Sequence, residues 1–225
     1  MCFSAGASFG ASVLIGAIGV AAVKKASTPA QKKFALIPIF FSIQQFSEGL
    51  TWLALSNPEN TLMANWLPGS MHFFLFFAWM LWPVLVPYVI MVLETDVKRI
   101  KLLKSQLAIG ALVSLTLAYV LIFHNVSATI SEYHILYKSD INHPLKWAFS
   151  IFYVAPTVFS CFISSIKRMH FLGIINLTSY LFTVIAFSMT VTSVWCFFAA
   201  ISSAVVLVII YDLQKQSPQV QIISN

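Results

Sequence analysis

Seven apolar runs follow one another along the chain, at about 5–23, 34–55, 71–93, 105–123, 147–166, 169–188 and 191–211, with short polar gaps between them. Each is near the ~20 residues that a helix needs to cross about 30 Å of hydrocarbon. Backbone N–H and C=O groups find no water inside a bilayer, so a spanning segment must close its own hydrogen bonds as a helix or join a closed barrel. The strict alternation of barrel strands is absent from these runs. The expected fold is therefore all-α: a polytopic membrane protein with seven transmembrane helices over residues 1–213, followed by a disordered cytoplasmic tail at 214–225. Runs six and seven are parted only by Met189-Thr190, which leaves room for a tight hairpin or a slip of a few residues.

The charged positions orient this map. Cytoplasmic loops collect Lys and Arg. Lys24, Lys25, Lys32, Lys33, Lys98, Arg99, Lys101, Lys104, Lys167, Arg168 and Lys215 all fall on one side of the seven-span path, and they are eleven of the 13 basic residues. Only Lys138 and Lys146 fall on the other. The split places the N-terminus, the 56–70 loop and the 124–146 loop outside and the C-terminus in the cytoplasm. Lys24 and Lys25 follow the first apolar run, whereas a secretory signal carries its charge before it. The first run is thus expected to remain as a helix inserted N-out.

Composition agrees. Of 225 residues, 59% are hydrophobic and 9% charged, against roughly 25% charged in soluble domains. The bilayer is the main partner. A net charge of +6 suggests nucleic acid at first sight. The basic residues sit where topology demands them, so no nucleic-acid partner is expected. Trp66, Tyr133, Tyr137 and Trp147 in the outer loops read as interfacial aromatics.

Candidate chemistry centres on Glu48, the one acidic residue well inside an apolar run. A charge at mid-membrane costs at least ~2.5–3.5 kcal/mol, which marks such a residue for function. Gln45, Glu48 and Trp52 share a helix face, and Gln44 lies one turn before Glu48. Counting from the outer ends of their helices at 1.5 Å per residue puts Glu48 about 10 Å deep and Cys196 about 7–8 Å deep. His72 is shallower, and Cys2 precedes the first helix on the same side. Cys2, Glu48, His72 and Cys196 are therefore a candidate metal set of the zinc or copper kind. The competing readings are a polar clasp between helices for Glu48 and an ordinary small hydrophobe for the cysteine.

Prolines and aromatics add a second possibility. Pro83 and Pro87 in the third run and Pro156 in the fifth remove backbone donors and should kink their helices. The space opened would be lined by Trp79, Trp82, Tyr153 and Trp195, although core packing explains each aromatic singly. Gly6 and Gly10 form a small-xxx-small pair on the first helix, expected to pack on a neighbouring helix or a second copy. His124, His134 and His143 in the 124–146 loop match no ligand spacing and read as solvated. The last run has no lysine, which excludes a retinal Schiff base.

The opening Met1-Cys2-Phe3-Ser4-Ala5, the Gln45-x-x-Glu48-Gly49-x-x-Trp52 segment, Trp82-Pro83 and Trp195-Cys196-Phe197-Phe198-Ala199-Ala200 resemble a family of uncharacterised bacterial multi-span membrane proteins. The resemblance covers most of the chain. It implies a bacterial inner membrane and brings no catalytic residues. Residues and resemblance together lead to a protein that binds, senses or transports a small apolar or cationic molecule in an outward-facing intramembrane pocket. Glu48 is its anchor, with Gln44, Gln45, Trp52, His72, Trp79, Tyr153, Trp195 and Cys196 around it. The alternatives are a metal- or thiol-dependent enzyme on a lipid-like substrate, using Cys2, Glu48, His72 and Cys196, and a structural or assembly subunit. Oligomeric state is open.

Overall fold

The computed structural model describes residues 4–141 and 146–223, and most of those residues are helical. Helix α1 (Ala5–Lys25) is capped by the Ser4 hydroxyl, which accepts from the Ala7 N–H, and ends on Lys24 and Lys25. Those charges suit the carbonyl end of a helix. A short α2 (Pro29–Ala35) starts with a Thr28–Gln31 capping box. Then come α3 (Ile37–Ser56), α4 (Thr61–Ala64), and α5 (Leu67–Leu75), which passes through a wide π turn at Phe76–Leu81 into α6 (Trp82–Leu93). Asp96 caps α7 (Val97–Phe123) by accepting from the Lys98 and Arg99 N–H groups. Helix α8 (Lys146–Val154) continues through a second π turn at Ala155–Phe159 into α9 (Ser160–Ile163). The chain closes with α10 (Lys167–Ala186), α11 (Val191–Phe197) and α12 (Ala199–Ile223).

Five helical stretches are long and apolar enough to cross a membrane: Ala5–Lys25, Thr61–Leu93, Val97–Phe123, Lys167–Ala186 and Val191–Lys215. Two of the expected seven fall short of that measure. Helix α3 spans 20 residues, but Gln44, Gln45 and Glu48 lower its hydropathy. The Ser150–Ile163 stretch is apolar and shorter.

One element was not expected. The 124–146 loop holds an antiparallel hairpin, β1 (Val126–Ser131) and β2 (His134–Ser139), with Val126 opposite Ser139 and Ser131 opposite His134. Val126, Thr129 and Ile130 favour extended backbone. The two-residue turn is unusual because it lacks Gly or Asn, and Glu132 supplies the left-handed conformation at φ 54°. Asp140 closes the base, 3.0 Å from His124 Nδ1 and accepting the Asn125 N–H at 3.3 Å.

Two apolar clusters mark the ends of the bundle. At the hairpin end, Trp52, Phe74, Leu121, Ala128 and Ile135 pack together, joining α3, α5, α7 and both strands. At the other, Phe34, Trp82, Leu103, Cys161 and Ile209 do so. Between them α1 lies along α3. Each of Ser12 and Ser42 donates its hydroxyl to the other's carbonyl at 2.8 Å. A Cβ on Gly16 would stand 2.8 Å from Ser42 Oγ, and one on Gly19 2.6 Å from Ile39. Gly6 and Gly10, expected to be the packing pair, meet nothing within 4 Å. The close approach lies two to three turns further along α1.

The helices widen into π turns beside Pro83 and Pro156, and side chains bond the carbonyls there. Pro83 cannot donate, so the backbone ahead of it opens into the π turn, and the freed carbonyls are re-satisfied. Tyr153 donates to the Ala78 carbonyl, and Ser114 donates to that of Met80 at 2.6 Å. In α8–α9, Thr157 donates to the Tyr153 carbonyl at 2.7 Å beside Pro156. Pro87 likewise leaves the Pro83 carbonyl without its helical donor. Gly110 of α7 covers that carbonyl so closely that a Cβ would lie 1.8 Å from its oxygen and 3.3 Å from Pro156.

Glu94 pins the far-end corner. It is buried and accepts from the Ser165 N–H at 2.6 Å, the Ser165 hydroxyl at 2.7 Å and the Thr95 N–H at 3.0 Å. Burial opposes its ionisation, but these hydrogen bonds and one from the Asp96 N–H outweigh it and hold the carboxyl below its ordinary value.

Candidate functional site

Helix α3 is amphipathic in an inverted sense: its polar residues are the hidden ones. Gln44, Gln45, Ser47, Glu48 and Thr51 are each at most 2% exposed, while Phe46 points outward. In lipid this is the stable choice, since polar groups gain by facing other helices. Each then needs a partner, because an unmet buried donor or acceptor costs about 1–3 kcal/mol.

Glu48 meets α11. Its Oε1 accepts the Ser193 hydroxyl at 2.7 Å. One turn away on both helices, Gln44 makes a bridge: its Oε1 accepts the Trp82 indole N–H at 2.7 Å, and its amide N–H donates to Cys196 Sγ at 3.0 Å. Cys196 lies 3.1 Å from the Thr192 carbonyl, to which its thiol donates. Three separate runs of sequence, around 44–48, 82 and 193–196, thus form one buried polar layer. Ser47 and Thr51 turn the other way, to the Ser70 carbonyl at 2.7 Å and the Ser70 hydroxyl at 3.0 Å.

Gln45 is different. It is 1% exposed, and among the described residues neither its amide nitrogen nor its oxygen has a hydrogen-bond partner. The Trp52 indole N–H and the Ser8 hydroxyl share that condition. Gln45 and Trp52 stand on the α3 stripe that contains Glu48. Ser8 belongs to the buried stripe of α1 that reaches α3 through Ser12 and α12 through Ala11 and Ala199. Gln45, Trp52 and Ser8 are thus three buried residues with open hydrogen-bonding capacity, the first two on the α3 face that carries Glu48.

The sequence matches one family across residues 1–221, nearly its full length. The chain belongs to DUF6629, a family of unknown function. No curated protein and no solved structure matches it.

Of the residues expected around Glu48 in this DUF6629 chain, Gln44 and Cys196 join its polar layer, Gln45 lies on the same α3 face, and Trp52 packs in the hairpin-end cluster. His72 joins none of them. It is exposed, and its Nδ1 lies 2.7 Å from the Pro68 carbonyl of its own helix. Cys2 lies outside the described residues. Among the described residues no three His, Cys, Asp or Glu side chains gather as a metal site. Glu48 and Cys196 remain neighbours through Ser193 and Gln44, with no imidazole between them.

Tyr153, Trp195 and Trp79 serve packing. Tyr153 and Trp195 meet edge-on at 6.0 Å, and Trp195 donates to Ser179 Oγ at 3.1 Å. Trp79 packs against the hairpin-end cluster. The helices enclose a space of about 30 Å³ beside Trp82. His124 bonds Asp140, His134 is buried with its ring 4.9 Å from Phe187, and His143 lies outside the described residues. Burial pushes the His134 imidazole below its ordinary value. The hairpin was read as a solvated loop, yet Tyr137 stacks on Phe74 at 4.9 Å and Ile135 is fully buried.

Proposed function

We propose that this is a seven-span protein of the bacterial inner membrane, N-terminus outside, that binds a small cationic or hydrogen-bonding molecule in the wedge between α1, α3 and α11, with Glu48 as the anchor. The observation that carries the reading is Gln45. A buried amide with no partner is retained at a cost of about 1–3 kcal/mol, and a ligand that meets it removes the cost. Glu48 adjoins it on the same face, and the open N–H of Trp52 and hydroxyl of Ser8 point to the same need. Seven crossings are supported by the five long apolar helices with α3 and the 146–163 segment added to them. Eleven of the 13 basic residues then fall on one side and the hairpin on the other.

Native mass spectrometry of the protein released from detergent tests the binding claim. Wild type should carry a small-molecule adduct that both Glu48→Gln and Gln45→Leu lose. An adduct-free wild type, or an adduct that both variants keep, contradicts the reading.

A further inference from the structure

A second feature lies on the opposite side of α3. Between α3 and the α4–α5 segment runs an open groove of about 580 Å³. Its floor is Ser47 and Ser70, whose hydroxyls are already engaged with each other's helices at 2.7 and 3.0 Å. The floor therefore asks nothing polar of an occupant. The walls are Phe46, Leu50 and Phe73.

One end differs. Asn65 and Trp66 line it, near the helix ends, and their side chains make no hydrogen bond among the described residues. The lining of the groove runs from Phe46 to Leu50 on α3 and from Asn65 to Phe73 on the facing segment, roughly 6 and 12 Å at 1.5 Å per residue. About 12 Å is most of one leaflet of a 30 Å hydrocarbon core. An occupant is thus apolar over most of one leaflet and polar at the interface. A helix about 10 Å across laid over that length fills roughly 900 Å³, well above the volume of the groove, so the space suits a single chain.

We propose that this groove seats one acyl chain of a glycerophospholipid, with the ester region at Asn65 and Trp66. The test uses full-length protein in phosphatidylcholine vesicles that contain a phosphatidylcholine with a photoactivatable diazirine on its acyl chain. Adducts are mapped by peptide mass spectrometry. Labelling should concentrate on Phe46, Leu50 and Phe73, above that on Leu112, Leu115 and Ile122 of α7, which are at least as exposed. Gly69 lines the groove, and a Cβ there meets nothing within 4 Å. Gly69→Phe should therefore abolish the groove labelling while the α7 labelling and melting temperature stay unchanged, with Gly69→Leu as a smaller occluding variant if Phe impairs folding. Even labelling of groove and α7, groove labelling that survives both variants, or a groove covered by cross-linking to a second copy overturns the proposal. Glu48→Gln should leave the groove labelling intact, which separates this site from the wedge.

Discussion

Gln44 and Gln45 are adjacent and equally buried, yet their amides have opposite fates. Gln44 is held by an indole N–H on one side and holds a thiol on the other. Removing it in Gln44→Leu strands the Trp82 N–H, and chemical denaturation should show a loss of about 1–3 kcal/mol. Gln45 has no such bonds to lose. Gln45→Leu should leave the melting temperature of ligand-free protein unchanged or raised, and weaken only what binds. A fall as large as that of Gln44→Leu would mean that Gln45 is a structural residue. The importance of Glu48, Gln44 and Gln45 was legible in the sequence because ionisable and amide groups inside an apolar run are costly. Depth along the helices reaches Cys196 among their partners, but not Trp82, because hydropathy carries no helix rotation. The same missing rotation placed His72 beside Glu48 when it faces outward.

Among the elements, the tightest contact is the crossing of α7 with the α5–α6 and α8–α9 segments at Gly110. The obstacle to a side chain there is a backbone carbonyl at 1.8 Å, not a flexible side chain. Overpacking costs about 1–3 kcal/mol even where side chains can yield. Gly110→Ala should therefore cost at least about 2 kcal/mol, read as a lower melting temperature and poorer yield of monodisperse protein. Gly6→Ala, at a position open to 4 Å, should cost nothing measurable. Pro83 and Pro156 mark in the sequence the places where the helices widen into π turns, but Gly6 and Gly10 do not mark the close approach within the chain, since a small residue reports close approach only once its neighbour is known. The corner at Glu94 adds a pH dependence. Its carboxyl is held below its ordinary 4.5 in the folded chain, so the unfolded chain binds more protons between the two values. The stabilisation is complete above 4.5 and fades as the pH falls through the lower, folded value. Thermal melts between about pH 3 and 6 should show a slope that Glu94→Gln flattens.

At the level of the whole molecule, the apolar runs foretold helices because lipid allows a spanning backbone little else. The hairpin escaped notice because its turn, Glu132-Tyr133, carries neither Gly nor Asn, and its buried His134 and half-buried Tyr137 are residue types that also suit an interface. The N-out, seven-span arrangement predicts which surfaces are reachable. In intact bacterial cells expressing a Cys2→Ser background, a membrane-impermeant maleimide should label Tyr133→Cys at the exposed hairpin tip. Lys101→Cys should label only after permeabilisation. The reverse pattern inverts the topology, and labelling of both sites in intact cells removes an odd number of crossings.

The wedge between α1, α3 and α11 is the centre of the account, and an experimental density map of the protein purified from its native membrane tests it most directly. Non-protein density is expected within hydrogen-bonding distance of both the Glu48 carboxyl and the Gln45 amide, lost in Gln45→Leu. A wedge closed by protein alone, with the Gln45 amide bonded to α1 or α11, would contradict it.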